Sequence, residues 1–173
     1  MSQGIYTIKK TVLFPVGLDA FLLFCLVLIC AFCKGSDLEV TIFLIFFLLA
    51  GYLFLDLLFR RISVDEKGLL LKRLSGEKRL PWEAITHVGG LTIRNRTYIL
   101  LTTVIGFFII SNSYRGFSVL SEEMLSRIDT EKVEEEVRTQ VKNMPEGKSQ
   151  TALAWMAAFI LLGVIWLKIY SFI

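Results

Sequence analysis

Few residues in this chain could carry out chemistry, and they are widely separated. His87 is the only histidine, and it lies on a predicted strand beside Gly89 and Gly90. It could act as a base or a metal ligand, or it could be an ordinary surface residue of that strand. The polar part of the sequence contains no HExxH, phosphate-loop or GxSxG motif. The sequence therefore predicts a protein that is not an enzyme and that uses no metal or cofactor.

The three cysteines, Cys25, Cys30 and Cys33, all lie in the first apolar block. Cys30 and Cys33 have the spacing of a CxxC motif, but a redox motif of that kind requires a βαβ context, which this block does not provide. We interpret the three residues as small apolar side chains of a helix.

Asp19 and Asp56 lie within apolar blocks, where a carboxylate is costly and indicates function by default. Asp56 precedes Arg60 by four residues, an order that favours an ion pair along one helix face. Asp19 follows Pro15 by one turn, and a proline in a helix leaves a backbone carbonyl without its usual donor. Two interpretations stay open for these acids. They pair or snorkel near the interface, or they make a polar contact with another helix, for example as part of an accessory subunit of a transporter or channel.

The elements that would position these residues begin with three apolar blocks. Hydrophobic residues make up 54% of the 173-residue chain, against about 45–50% in soluble domains. The excess lies in residues 12–33, 38–59 and 151–167. Each block is long enough to cross a bilayer, and a helix is the structure that satisfies its backbone there. The composition therefore excludes an ordinary soluble domain and predicts a protein with three transmembrane helices.

Basic residues flanking the blocks predict the orientation. Lys9 and Lys10 precede the first block, Arg60 and Arg61 follow the second, and the loop 34–39 between them holds one base and two acids. The positive-inside rule then predicts that the N-terminus and residues 60–150 are cytoplasmic, in a prokaryotic inner membrane. Lys168 would lie at the far side, where a lysine near a helix end can snorkel to the interface.

The soluble segment begins with β-strand patterns and ends with helical ones. Alternating apolar residues and turn signals predict short antiparallel strands between Ile62 and Ser111, with the strands around Gly106 buried. A stripe at helical spacing then predicts a helix able to cover one end of them; it consists of Phe117, Leu120, Met124, Leu125 and Ile128. The predicted fold is an α+β membrane protein with an antiparallel β-barrel or sandwich capped by a C-terminal helix. The predicted divisions are 1–59, a helical hairpin; 60–128, the β-domain; 129–147, a charged helix and linker; and 148–173, the third span.

The β-domain resembles the bacterial pleckstrin-homology-like (bPH) domains. The residues that carry the resemblance are the segment from Ile62 to Leu71, the step Leu80-Pro-Trp-Glu-Ala-Ile85, and the segment from Phe107 to Tyr114 leading into the helix. The resemblance covers about residues 60–128. It implies a small, partly open PH-like barrel that binds a ligand or partner and carries no common reaction.

Two features of this domain are candidate binding elements. Basic residues predominate between residues 60 and 99 and could dock on anionic headgroups, each contributing about 1 kcal/mol near a membrane surface; the candidates are Lys67, Lys72, Arg73, Lys78 and Arg79. A narrow apolar stripe of Val133, Val137 and Val141 on the charged helix 130–143 is the candidate contact for a protein partner.

The predicted function is therefore that of a scaffold, assembly factor or regulatory subunit that binds a membrane-protein partner or a second copy. Binding of anionic lipid and a role beside a transporter are the alternatives. The net charge of +3 is too small to predict nucleic-acid binding.

Overall fold

The computed structural model describes residues 4–32, 36–93, 96–104, 106–142 and 151–171. The described residues divide into two compact units, one within 10–58 and 151–173 and the other within 1–9 and 59–150. Cys33, the predicted end of the charged helix at Asn143 and the linker at 145–147 lie outside the described residues. The elements, in chain order, are β1 (Gly4–Thr7), α1 (Lys10–Phe32), α2 (Asp37–Phe59), β2 (Arg61–Asp65), β3 (Gly68–Arg73), β4 (Gly76–Pro81), β5 (Ile85–Ile93), β6 (Arg96–Thr103), β7 (Gly106–Ser111), α3 (Phe117–Leu125), α4 (Glu135–Lys142) and α5 (Ala152–Tyr170).

Three long helices, α1, α2 and α5, form the first unit, as the apolar blocks predict. Each is long and apolar enough to cross a membrane. The contact between α1 and α5 buries Leu26, Cys30 and Ala158, whereas most other apolar side chains of the three helices stay uncovered within the unit. Such helices lack a polar face and have to be covered by something apolar.

Polar groups at one end of the helical unit are satisfied locally. The Ser36 hydroxyl accepts a hydrogen bond from the backbone N–H of Glu39 at 3.3 Å, which caps the start of α2. The Lys168 ammonium, near the end of α5, donates to both Glu39 carboxylate oxygens at 2.8 Å. Lys168, for which the sequence predicts snorkelling, therefore has a carboxylate partner on a neighbouring helix.

The second unit begins with a strand that the sequence analysis did not predict. β1 pairs antiparallel with β2, with Gly4 opposite Val64 and Thr7 opposite Arg61. Residues 4–9 therefore belong to the β-rich unit and not to the helical hairpin, to which the predicted division 1–59 assigns them. The α1–α2 hairpin is an insertion between two neighbouring strands of one sheet.

Two antiparallel sheets form this unit, with strand orders β1-β2-β3-β4 and β5-β6-β7. Their inner faces carry fully buried aliphatic residues, namely Ile62, Val64, Leu69, Leu80, Ile85, Val88, Ile99, Leu101 and Ile110. The sheets do not close into a barrel, so the structure shows two separate antiparallel sheets where the sequence predicts a barrel or a sandwich. One physical reason is local: β4 ends at Pro81, and a single 3-10 turn, Trp82–Ala84, redirects the chain into β5. The Trp82 indole N–H fixes this corner by donating to the Asp65 carbonyl at 3.1 Å.

The helices α3 and α4 cover other parts of the sheets. α3 buries Phe117, Leu120 and Met124, as the predicted stripe requires, and packs on β1 and β2. α4 packs on β5 and α3. Residue 133 precedes α4 in extended conformation and forms a parallel bridge with Val88, so the predicted single helix over 130–143 is interrupted.

One side-chain contact ties β1 to α3 and has a consequence for the pH dependence of stability. The Tyr6 hydroxyl donates to a Glu123 carboxylate oxygen at 2.9 Å. Burial raises the pKa of Tyr6 to about 12, and the hydrogen bond to Glu123 and its negative charge act in the same direction. Because the folded protein keeps this phenol protonated, the contribution of Tyr6 to stability is complete below about pH 10, the pKa of an unperturbed tyrosine. It is lost as the pH rises towards 12.

We therefore expect Tyr6→Phe to cost about 1 kcal/mol of unfolding free energy near neutral pH, the usual net value of one hydrogen bond. The difference from the wild type should shrink between about pH 10 and pH 12, since only the wild type loses a favourable protonated group there. Chemical denaturation of the detergent-solubilised protein across this pH range measures both effects. A difference that stays constant with pH would contradict the assignment.

Candidate binding cleft between two sheet edges

An open cleft of about 370 Å³ lies between the β3–β4 hairpin and β7. Its walls include Leu71 and Arg73 on β3, Lys78 on β4, and the β7 residues Phe107, Phe108 and Ile109. Glu77 also lines the cleft, but its carboxylate pairs with Lys72. The cleft therefore combines two cations and one paired acid with aromatic and aliphatic surface, a combination suited to ligands that carry both negative charge and apolar groups.

The register of the hairpin explains why two cations line this cleft. Residues directly opposite each other in an antiparallel pair share a face, and Leu71 is opposite Lys78 while Arg73 is opposite Gly76. Since alternate residues of a strand also share a face, Arg73 and Lys78 continue the face that buries Leu69 and Leu80 deeper in the sheet. The inner face thus changes from aliphatic to cationic as it reaches the tip of the hairpin.

An aromatic ring of the other sheet holds one of these cations. The Lys78 ammonium lies 5.8 Å from the centroid of the Phe108 ring, within the range of a cation–π contact. Phe108 is opposite Leu101 in the β6–β7 register and therefore lies on the inner face of the second sheet. The contact therefore joins the two sheets across the cleft and places the lysine charge beside β7.

The other predicted headgroup residues do not join this site. Lys72 and Arg79 lie on the opposite face of the hairpin, where Lys72 pairs with Glu77 and the Arg79 guanidinium is 4.0 Å from an Asp65 carboxylate oxygen. Lys67 is in the turn before β3, at the far end of the strand from Arg73. The five residues are therefore divided between two faces and two ends of the hairpin, and only Arg73 and Lys78 line one cleft.

The strands around Gly106, predicted to be buried, are buried on one face only. Phe107 is 80% exposed and Ile109 57% exposed, while Ile110 between the sheets is buried. Leu91 and Ile93 on β5 are exposed on the same sheet. A run of consecutive apolar residues is typical of a strand that is covered on both faces. The pattern alone does not tell whether the same chain or another molecule covers the second face. Phe107 and Ile109 are the candidate functional residues that the sequence analysis did not identify.

The valine stripe, in contrast, is covered by the chain itself. Val133, Val137 and Val141 are all buried, with Val137 only 1% exposed. Val133 pairs with Val88, and α4 packs on β5 and α3. The stripe is therefore part of the core of the unit, which corrects the expectation that it contacts a protein partner.

The other predicted residues are not among those that line the cleft. His87 is exposed on β5, and its Nε2 lies 2.9 Å from a Glu134 carboxylate oxygen. Asp56 is 8% exposed near the end of α2, and Arg60 is half-buried between α2 and β2. One carboxylate oxygen of Asp19 is buried without a hydrogen-bond partner among the described residues. Whether these acids contact a helix of another protein stays a prediction.

A scan against protein-family models, a search of curated proteins and a search of solved structures each found no match to this chain.

Proposed function

We propose that the chain is a non-catalytic, multi-pass membrane protein whose β-rich unit binds a protein partner on the cytoplasmic side. Three helices of sufficient length and apolar character support the membrane assignment. The pairing of β1 with β2 supports the topology, because it requires both ends of the α1–α2 hairpin to lie on the same side of the membrane. Lys9, Lys10, Arg60 and Arg61 at those ends favour the cytoplasm as that side.

A PH-like fold is part of the proposal. Two antiparallel sheets followed by a helix that packs on the first of them agree with the resemblance of residues 60–128 to bPH domains. The Leu80-Pro-Trp-Glu-Ala-Ile85 step, which carries part of that resemblance, forms the corner at which the chain passes from one sheet to the other. Such domains are binding modules, which suits a unit whose described residues bring no evident catalytic set together.

The single observation that carries the proposal is the uncovered apolar surface of β7 beside the cleft. Covering a large apolar side chain fully is worth about 1.5–3 kcal/mol, and contiguous exposed apolar surface is typical of an interaction site. Phe107 and Ile109 supply such a surface, with Leu91 and Ile93 on the same sheet. A protein partner would gain most of its binding energy at these residues.

The double substitution Phe107→Ser and Ile109→Ser tests this proposal. We expect a protein that co-purifies with the full-length chain in mild detergent to be lost from this variant, at least about tenfold by quantitative mass spectrometry, since removing two apolar anchors costs more than 1.4 kcal/mol. Val119→Ser is the matched control, because Val119 is equally exposed on α3, away from the cleft. Equal retention of the partner by both variants would contradict the proposal.

Binding of anionic lipid headgroups is the second candidate, and the pair Arg73 and Lys78 favours it. Both line the cleft, and neither forms a salt bridge among the described residues. If headgroups are the ligand, phosphatidylglycerol adducts seen by native mass spectrometry should decrease when both residues are changed to Glu, and should decrease with added salt. Lys67→Glu, in the turn at the other end of β3, is the control. Equal adduct numbers in all variants would contradict this candidate.

A further inference from the structure

Each sheet has two edges, and the chain protects three of the four. The free edge of β1 is covered at its end by the segment after β7, where the Lys9 N–H donates to the Ser113 carbonyl at 2.9 Å and the Arg115 N–H donates to the Thr7 carbonyl at 2.8 Å. The free edge of β5 is covered by the segment before α4, where the Glu134 N–H donates to the Val88 carbonyl at 3.1 Å. Natural sheets protect exposed edges because an unpaired edge recruits other strands.

The edges of β4 and β7 face the cleft, and they differ in how they are protected. β4 has strongly charged side chains, namely Glu77, Lys78 and Arg79, and it ends in Pro81. Charges and proline at an edge discourage the addition of a further strand. β7 has the sequence Gly-Phe-Phe-Ile-Ile-Ser, without charge or proline. Among the described residues β7 pairs only with β6, so its second edge has no strand partner.

The surroundings of β7 determine which kind of strand fits. The inner side of the cleft carries the positive charges of Arg73 and Lys78, and the outer face of β7 carries Phe107 and Ile109. A second copy of this chain adding through its own β7 would bring a second Arg73 and Lys78 to the same cleft, where like charges oppose the approach. An acidic segment meets complementary charge instead.

We propose that an extended segment of the partner protein adds to the free edge of β7 in this cleft, with acidic and apolar side chains in alternation. Successive side chains of a strand point to opposite faces. The acidic set therefore lies towards Arg73 and Lys78, and the apolar set lies beside Phe107 and Ile109 on the outer face. Backbone hydrogen bonds to β7 supply affinity, and the alternation supplies specificity. This inference rests on the proposed function and names the chemistry of the partner segment.

The probe for this proposal is a fluorescein-labelled, terminally capped octapeptide of alternating Glu and Val, titrated with the full-length protein in detergent while fluorescence anisotropy is recorded. We expect saturable binding that weakens with salt. A Lys–Val peptide of the same length should bind at least about tenfold more weakly, since one charge pair lost from such a site is worth 1.4 kcal/mol or more. Methylation of every second backbone nitrogen blocks either the N–H groups that face β7 or those that face away from it. Only the first pattern should abolish binding, because only those N–H groups donate to β7.

A charge-reversed variant tests whether the acidic side chains face Arg73 and Lys78, and its binding of the opposite peptide shows that the variant is folded. Protein carrying Arg73→Glu and Lys78→Glu should lose the Glu–Val peptide and gain the Lys–Val peptide, a gain that an unfolded variant would not show. Lys67→Glu should bind the Glu–Val peptide as the wild type does, since Lys67 lies away from the cleft.

Five outcomes would overturn the proposal. Absence of peptide binding, while partner retention still depends on Phe107 and Ile109, would reject strand addition and leave the proposed function standing. Equal affinity for both peptides would reject the acidic partner. Binding that neither N-methylation pattern weakens would assign the cleft to a ligand held by side chains. Displacement of the peptide by short-chain phosphatidylglycerol alone would assign the cleft to a headgroup ligand. A dimer that forms without peptide and is lost in Ile109→Lys would assign the edge to a second copy.

Discussion

Val137→Asp is expected to detach α4 from the sheet. Val137 is 1% exposed on the side of α4 that packs against its neighbours. An aspartate there would bury a carboxylate that has lost its hydration and gained no hydrogen-bond or charge partner. Burying an unpaired charge belongs to the most damaging class of substitutions, and we expect a loss of at least about 3 kcal/mol in the free energy that holds α4 in place. Amide hydrogen exchange should then show loss of protection in residues 130–142, including the Glu134 N–H, which donates to the Val88 carbonyl.

Thr139→Asp provides the matched control, because Thr139 lies on the same helix and is exposed. Protection of α4 should be unchanged there. If Val137→Asp instead kept α4 protected and only released a bound protein, the valine stripe would be a docking surface, as the sequence pattern predicts, and the packing described above would be wrong.

Gly68→Ala is expected to disrupt the hairpin that forms one wall of the cleft. Gly68 has φ +147°, a conformation that side chains oppose, and a Cβ atom there would lie 2.1 Å from the Leu80 carbonyl oxygen. Because that oxygen is part of the backbone of β4, relief requires the strands β3 and β4 to separate. We expect a loss of at least about 3 kcal/mol of unfolding free energy, from backbone strain together with a main-chain clash.

Gly76→Ala separates these two causes. Gly76 has φ +132°, but a Cβ atom there meets no atom within 4 Å. Only the conformational cost remains, about 1–2 kcal/mol. Denaturation followed by Trp82 fluorescence, with Trp155 and Trp166 changed to Phe, would measure both variants, because the Trp82 indole contacts the turn before Gly68. Equal losses for the two alanines would contradict the geometry of the β3–β4 pairing.

The sequence predicts the elements with strong local patterns well. The block 12–33 corresponds to the helix Lys10–Phe32, and 38–59 corresponds to Asp37–Phe59, because a block of about twenty predominantly apolar residues leaves little choice of structure in a membrane. Alternation likewise predicts β2, and short apolar runs bounded by turn residues predict β3, β6 and β7. The stripe from Phe117 predicts α3, whose buried residues follow a helical repeat.

The features that depend on distant partners could not be predicted in this way. β1 is four residues long, and its pairing with β2 crosses the whole α1–α2 hairpin, so no local pattern marks it. Val137 has the spacing of a surface stripe, but the cover over it, β5, comes from a part of the chain about fifty residues earlier. Phe107 shows the opposite case. The apolar run around it predicts a strand that the chain covers on both faces, but the outer face of β7 is exposed.

The candidate site was predictable only where local sequence determines it. The basic character of the β3–β4 hairpin is evident from composition, and Arg73 and Lys78 were among the predicted binding residues. Their separation from Lys72 and Arg79 follows from the register, which places alternate residues on opposite faces. The contribution of β7 required the three-dimensional arrangement of the two sheets.

The position of β1 also imposes an order on biosynthesis. The ribosome delivers Gly4–Thr7 first, yet its pairing partner Arg61–Asp65 follows only after both α1 and α2 have been translated. The earliest strand therefore has to wait, unpaired, until the hairpin has left the translation machinery. A shortened gene that begins at residue 60 would produce a sheet lacking its outermost strand. A gene that joins residue 9 to residue 59 through a tight turn and stops before α5 would retain that strand, and so offers the natural route to a water-soluble version of the β-rich unit.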